Sequence, residues 1–327
     1  MRGRQIRVAV AGAGGFGKNH VRIWSAMEGV ELVGIVDENK DRAEQIAAEF
    51  KTRALSNLDA LVSEGVEAVS VAVPTTDHAE VGCKLLDAGM DVLVEKPMAA
   101  SLAEADQLIA AAKRSGRILQ IGHVERFNGA VAAAQKIISR PMFFEVHRLG
   151  IFTPRSLDVD VVYDVMIHDL DILLALVDAP VVDLKAVGIP VITDKVDIAH
   201  ARMEFATGTV ANVTASRVST ERVRKMRFFQ AHEYVSLDFA RQDVLRIRVQ
   251  PDAPPPGVAF EKVPAAAGEP LKAELMAFAE RVCTRRQPMV DGAAGRRALE
   301  LADRVMAGIQ EHAKRVQAGA FASPLIP

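Results

Sequence analysis

Residues 6 to 123 alternate short, mostly apolar runs with amphipathic ones. The runs at 6–11, 31–36, 68–73, 91–95 and 117–121 are rich in Val, Ile, Leu and Ala, as strands buried on both faces are. Between them, helices are predicted near 17–27, 40–50, 57–64, 77–88 and 102–114. Ser56 and Ser101 are placed to cap two of these, and Glu104, three residues past Ser101, completes a capping box. Strand and helix in alternation predict a doubly wound α/β sheet of parallel strands.

Beyond residue 123 the pattern changes. One nearly all-apolar helix is predicted over 160–177. Longer, partly alternating runs at 142–149, 183–190, 199–206, 209–218, 225–238 and 244–250 predict a large, mostly antiparallel sheet with one open face. Residues 251–270 hold six prolines and three consecutive alanines, which read as a loop or lid. Helices near 271–286 and 294–316 follow. Two domains are expected: a doubly wound α/β domain over 1–123 and an α+β domain over 124–327.

Composition narrows the partners. The chain has 327 residues, with 40 Lys and Arg against 42 Asp and Glu. That balance exerts no general pull on nucleic acid or an anionic membrane, so an anionic ligand must be met by local arginines. Cys83 and Cys283 are the only cysteines and form no CxxC pair, which argues against a disulfide framework and a metal site. The N-terminus carries no apolar signal core, and no apolar stretch is long enough to span a bilayer, so a cytoplasmic protein is expected.

The first apolar run leads into Gly12-Ala13-Gly14-Gly15-Phe16-Gly17. Gly12, Gly14 and Gly17 fit G-x-G-x-x-G, with Phe16 inside the turn. A strand before this pattern and a helix after it give the spacing its meaning. Such glycines bring backbone N–H groups and a helix N-terminus to a pyrophosphate, so a dinucleotide is the expected cofactor. Asp37 ends the second strand, where a carboxylate accepts from the adenosine ribose hydroxyls and repels a 2′-phosphate, favouring NAD over NADP. Pro74, Thr75 and His78 lie in the loop after the third strand, beside the expected cofactor. Thr75 or Thr76 can also cap the helix that follows.

Lys96, in Glu95-Lys96-Pro97, sits at the carboxyl end of the fourth strand, where an open parallel sheet binds its ligands. Glu95 and Lys96 are therefore expected near the cofactor, and a cis Lys96–Pro97 bond would fix the direction of the lysine. In a closed cleft the lysine is partly desolvated and can hydrogen-bond a substrate hydroxyl. Asp164 and His168 are four apart on the apolar helix and so share a face, with Asp171 continuing the stripe. A polar stripe on a buried helix requires partners. With Lys96 it forms a candidate acid–base cluster in which either Lys96 or His168 can take the proton.

The glycine turn, Glu95-Lys96-Pro97 and Asp164-x-x-x-His168, in this order, resemble the Gfo/Idh/MocA oxidoreductase family over essentially the whole chain. The resemblance implies catalysis by Lys96, Asp164 and His168, an NAD(P)-bound Rossmann domain, and dimers or tetramers built through the open sheet. The approach to the helix, Asp158-Val159-Asp160-Val161-Val162, departs from the glycine-rich stretch of many members. Gly122-His123-Val124-Glu125-Arg126-Phe127-Asn128 resembles the segment of the family's nucleotide-sugar branch. That implies His123 near the nicotinamide, and Arg126 and Asn128 facing the substrate or capping the next helix. The implied reaction takes UDP-N-acetylglucosamine to its 3-keto form, an amino-sugar precursor of lipid A or a surface polysaccharide. A diphosphate suits bidentate arginines, for which Arg148, Arg155 and Arg217 are candidates. A polyol dehydrogenase would not need those arginines, and a non-catalytic NAD-binding sensor would not need Lys96 or His168.

Overall fold

The computed structural model describes residues 5–154, 157–250, 254 and 257–318. By their contacts these form two compact units. The first comprises residues up to Phe127 together with Glu269–Arg296, and the second comprises Asn128–Gly268 and the residues from Arg297 onward. The sequence-based division at 123/124 keeps 269–296 with the second domain, whereas those residues pack in the first unit.

In the first unit the elements are β1 (Ile6–Ala11), α1 (Gly17–Ser25), β2 (Val30–Val36), α2 (Lys40–Glu49), α3 (Leu58–Ser63), β3 (Ala68–Val71), α4 (His78–Asp87), β4 (Asp91–Glu95), α5 (Leu102–Ser115) and β5 (Leu119–Gly122). The strands form one parallel sheet in the order β2-β1-β3-β4-β5. The order reverses at β1, which makes the crevice beside its carboxyl end the expected ligand site. Ser101 caps α5 by accepting from the Glu104 backbone at 3.3 Å, and the Glu104 carboxylate accepts in return from the Ala100 N–H at 2.9 Å. The cap of α3 is Asn57, not Ser56: its side chain accepts from the Ala60 N–H. Neither Thr75 nor Thr76 caps α4; both lie in a 3₁₀ turn, Thr75–Asp77, that leads into it.

The second unit opens with α6 (Gly129–Ala134) and β6 (Phe143–Leu149). A π turn (Val162–Met166) then runs into α7 (Ile167–Val177). The remaining strands are β7 (Val181–Ile189), β8 (Ile198–Phe205), β9 (Val210–Ser216), β10 (Val223–Gln230), β11 (Glu233–Asp238), β12 (Asp243–Val249) and β13 (Val258–Val263). They form an eight-stranded sheet in the order β13-β12-β11-β10-β6-β9-β8-β7, antiparallel except where β6 meets β9. α8 (Pro270–Thr284) belongs to the first unit, and α9 (Gly292–Ala318) begins there and continues in the second.

Three predictions need correction. The run 225–238 is two strands joined by Ala231-His232, with His232 at φ +62; without Gly or Asn the hairpin left no turn signal. The stretch 251–270 is not all loop, because Val258–Val263 pairs with β12 at the sheet edge, its prolines lying outside the strand. The helix over 160–177 is α-helical only from Ile167.

Each unit has its own apolar core. In the first, Val8, Val10, Trp24 and Ile35 pack with Leu271, Leu275 and Phe278 of α8. In the second, the inward positions of the large sheet pack with α6, α7 and α9. β6 shows the alternation, with Phe144, Val146 and Arg148 buried and Phe143, Glu145, His147 and Leu149 on the open face. Among the described residues no helix is long and apolar enough to cross a membrane.

Candidate active site

The first unit gathers one candidate segment at the carboxyl end of each of its strands. Gly12 follows β1, Asp37 β2, Pro74 and Thr75 β3, Lys96 β4 and His123 β5. Gly12 has φ +91, and a Cβ there would meet the Ala72 carbonyl oxygen at 2.5 Å. Gly17 must lie against Gly12, since its Cβ would sit 1.9 Å from the Gly12 oxygen. The turn thus closes on two glycines that admit no side chain. Over Gly14 and Gly15, by contrast, a Cβ would meet nothing within 4 Å. Exposed Phe16 borders that open ground ahead of the α1 N-terminus. These residues fit a pyrophosphate seated on backbone N–H groups. Gly14→Ala is expected to keep the wild-type melting temperature yet weaken NAD binding in calorimetry, whereas Gly17→Ala should lower stability itself.

Asp37 holds the turn as well as ending β2. Its carboxylate accepts from the Ala13 N–H at 2.6 Å, from the Asn39 N–H at 2.8 Å, and from Arg42. Burial alone would raise its pKa, but Arg42 and these two amides outweigh burial and hold it below the usual carboxylate range. Asp37 is therefore an anion at the carboxyl end of β2, with Arg42 as its counterion.

The loops beyond β3 and β4 are joined. His78 is buried, its Nδ1 2.9 Å from the Pro97 carbonyl and its Nε2 3.0 Å from that of Val73. Burial pushes the imidazole pKa down, although the carbonyls pull the other way. This puts His78 in a tie between two loops rather than outward toward a ligand. Glu95 is also buried; its Oε1 lies 3.0 Å from His20 Nε2 and its Oε2 accepts from the Lys96 N–H at 3.3 Å. The Lys96–Pro97 bond is cis, and the Lys96 side chain is half-buried. His123 is 1 % exposed, its backbone N–H donating to the Ile121 carbonyl. Arg126 lies buried in a 3₁₀ turn, Val124–Phe127.

In the second unit, Asp164 falls inside the π turn and His168 on the first turn of α7. Hydrogen bonds in a π turn close i→i+5, and such turns favour functional sites. The even i, i+4 stripe predicted for a plain α-helix is therefore interrupted. Asp164 and His168 are half-buried, whereas Asp171 is 2 % exposed and belongs to the core. The turn is pinned beside Asp164 by the Tyr163 hydroxyl, which donates to Asp303 at 2.7 Å. Burial, then the Asp303 carboxylate, raise the Tyr163 pKa and keep that hydroxyl protonated.

Two of the three arginines expected to meet a diphosphate, Arg148 and Arg217, bond within the second unit. Arg148 is 5 % exposed and makes a two-pronged bond to Asp169, at 2.8 Å on each side, beneath the Phe239 ring. Arg217 donates to the Val159 carbonyl and lies 3.6 Å from Asp197. It braces the segment leading to the π turn. Asn128 caps α6 through the Ala130 N–H and donates to the Phe239 carbonyl. Arg155 lies outside the described residues.

Asp169, Asp197 and His20 were not singled out from the sequence. A buried aspartate in an apolar helix demands a cation, and that was the readable signal for Asp169. Asp197 lies at a strand start and offers no such cue. Burial would raise its pKa, but the amides of Thr193, Ile192 and Val191 and the Thr193 hydroxyl lower it to about 2. With the folded value depressed, its contribution to stability is full above the unfolded value of 3.8 and is lost as pH falls through about 2. Asp197→Asn is expected to lower the urea midpoint at neutral pH and to flatten its decline between those values.

A glycine turn with room for a pyrophosphate, and a lysine on the same sheet edge, define a dinucleotide-linked oxidoreductase. The comparisons with known proteins agree. Residues 6–123 match the oxidoreductase family model with an NAD-binding Rossmann fold, and residues 120–231 match the Gfo/Idh/MocA C-terminal domain. The chain is 39 % identical, over 95 % of its length and 99 % of the other, to the UDP-N-acetylglucosamine 3-dehydrogenase of Acidithiobacillus ferrooxidans. A solved structure of that enzyme superposes with a TM-score of 0.88, covering 94 % of this chain and 98 % of that one. The NAD-dependent scyllo-inositol 2-dehydrogenase of Bacillus subtilis is 30 % identical over 66 % of this chain and 68 % of its own. The chain belongs to the Gfo/Idh/MocA oxidoreductase family and is a dehydrogenase with an NAD-binding domain.

Proposed function

We propose that this protein oxidises a ring hydroxyl of a nucleotide sugar, UDP-N-acetylglucosamine at C3, with NAD as acceptor. The observation that carries this reading is 39 % identity across nearly the full length of an enzyme of that name, with Lys96, Asp164 and His168 all present. Bound NAD supplies the hydride acceptor. His168 takes the hydroxyl proton, Asp164 orients the imidazole, and Lys96 steadies the oxygen as negative charge grows on it. Lys96 and His168 can exchange the role of proton acceptor. The 3-keto product is suited to amination, which places the step ahead of an amino-sugar precursor of lipid A or a surface polysaccharide.

We also propose self-association into a dimer or tetramer through the open face of the large sheet. Phe143, Phe229 and Tyr234 form an aromatic stripe there, and Arg227 pairs with Glu145 beside it.

A second reading, oxidation of a free sugar or polyol, is favoured by one observation: Arg148 and Arg217 are spent on Asp169 and Val159. Mass spectrometry of the protein incubated with NAD and UDP-N-acetylglucosamine separates the two. A product two mass units lighter, with hydrogen lost from C3, supports the nucleotide sugar. Turnover confined to inositol or a free sugar overturns it and keeps the chemistry.

A further inference from the structure

Lys96 is flanked by two residues whose positions are each set by a different buried histidine. On its N-terminal side, Glu95 is held by His20, 3.0 Å away. His20 is 0 % exposed and sits on α1, three residues past Gly17, with Phe16 edge-on to its ring at 5.4 Å. The other oxygen of Glu95 turns back to the backbone N–H of Lys96 itself. Gly122, paired with Glu95 across β4 and β5, leaves room for this carboxylate: a Cβ there would stand 2.7 Å from Oε1. On the C-terminal side, the Pro97 carbonyl is met at 2.9 Å by Nδ1 of His78, the first residue of α4.

A polar group buried this completely is costly unless it is hydrogen-bonded, and each of these two rings meets that demand beside Lys96. The two bonds fall on the immediate neighbours of one residue, the Glu95 carboxylate before Lys96 and the Pro97 carbonyl after it. Both histidines also come from the helices that follow β1 and β3, the strands at which the sheet order reverses. We propose that His20 and His78 are positioning residues for Lys96, fixing its backbone on both sides and coupling its aim to the dinucleotide turn from which His20 extends. The proposal rests on the reading of Lys96 as a reacting residue.

The geometry dictates which substitutions rescue. A glutamine amide nitrogen reaches where His20 Nε2 lies, and an asparagine amide nitrogen reaches where His78 Nδ1 lies. The test is the acylation rate of Lys96 by acetic anhydride, resolved by peptide mass spectrometry, in His20→Leu, His20→Gln, His78→Leu and His78→Asn. The leucine variants are expected to change the rate at Lys96 beyond the scatter of the other lysines, and His20→Gln and His78→Asn to restore it. In turnover, His20→Leu should lower kcat far more than it raises the KM for NAD, by about 10²-fold, the cost of misplacing a reacting group by about 1 Å.

An unchanged rate at Lys96 in both leucine variants overturns the proposal, as does a change shared by all lysines. Should the leucine variants fail to fold, Glu95→Gln decides in their place. It keeps the volume but lacks one of the two acceptor oxygens, so Lys96 labelling must change in it as well. Lys96→Met with near-normal turnover would remove Lys96 from the chemistry without touching the labelling result, so the two failures are told apart.

Discussion

Lys96→Met is expected to lower kcat by about 10²- to 10⁴-fold, the range set by a well-placed proton-transfer group, while NAD affinity stays near wild type. Methionine keeps the length and the apolar stem of lysine but carries no ammonium. The dinucleotide turn, Asp37 and the ties of Glu95 and Pro97 all involve backbone or other side chains, so none of them is removed. Single-turnover mass spectrometry reads the chemical step, and calorimetric titration reads the cofactor. Near-normal turnover would exclude Lys96 from the reacting centre. A parallel loss of NAD binding would mean that the substitution had disturbed the β4 loop instead.

Asp169→Ala is expected to destabilise the second unit by about 3–5 kcal/mol, because breaking a buried pair strands its partner. Asp169 is 0 % exposed and Arg148 5 %, so little water reaches the guanidinium once its carboxylate is gone. The contact with Phe239, 4.9 Å away, does not replace a counterion. Removing both charges, as Arg148→Met with Asp169→Leu, should recover much of the loss. Urea denaturation of the two variants makes the comparison. If Asp169→Ala melted like wild type, Arg148 would have found another anion, and its reassignment away from substrate would have to be reopened.

The parallel sheet was legible because buried parallel strands leave short runs rich in Val, Ile, Leu and Ala and the glycine turn punctuates them. The large sheet was legible from its alternation, but not its joints. Ala231-His232 turns without a turn residue, and the edge strand Val258–Val263 is hidden among prolines. For the site, the chain order of Gly12, Lys96, Asp164 and His168 was readable, since each motif is contiguous. The fates of Arg148 and Arg217 were not, because their partners Asp169 and Asp197 lie 21 and 20 residues away in sequence and are brought near only by the fold. An isolated arginine looks the same whether it will meet a phosphate or a buried carboxylate. The π turn was likewise unreadable: Val162–Met166 holds nothing that distinguishes it from α-helix.

The first unit takes its last core residues from far along the chain. Leu271, Leu275 and Phe278, each under 9 % exposed, complete the packing around Val8, Val10 and Trp24. During synthesis the five parallel strands emerge long before that helix does. The ribosome must add the entire large sheet while the apolar patch beside α1 waits uncovered. Domains commonly fold in the order of their synthesis, but here the earliest one made is finished late. A fragment ending at residue 127 is accordingly expected to aggregate, and supplying residues 269–296 as a peptide should rescue its solubility.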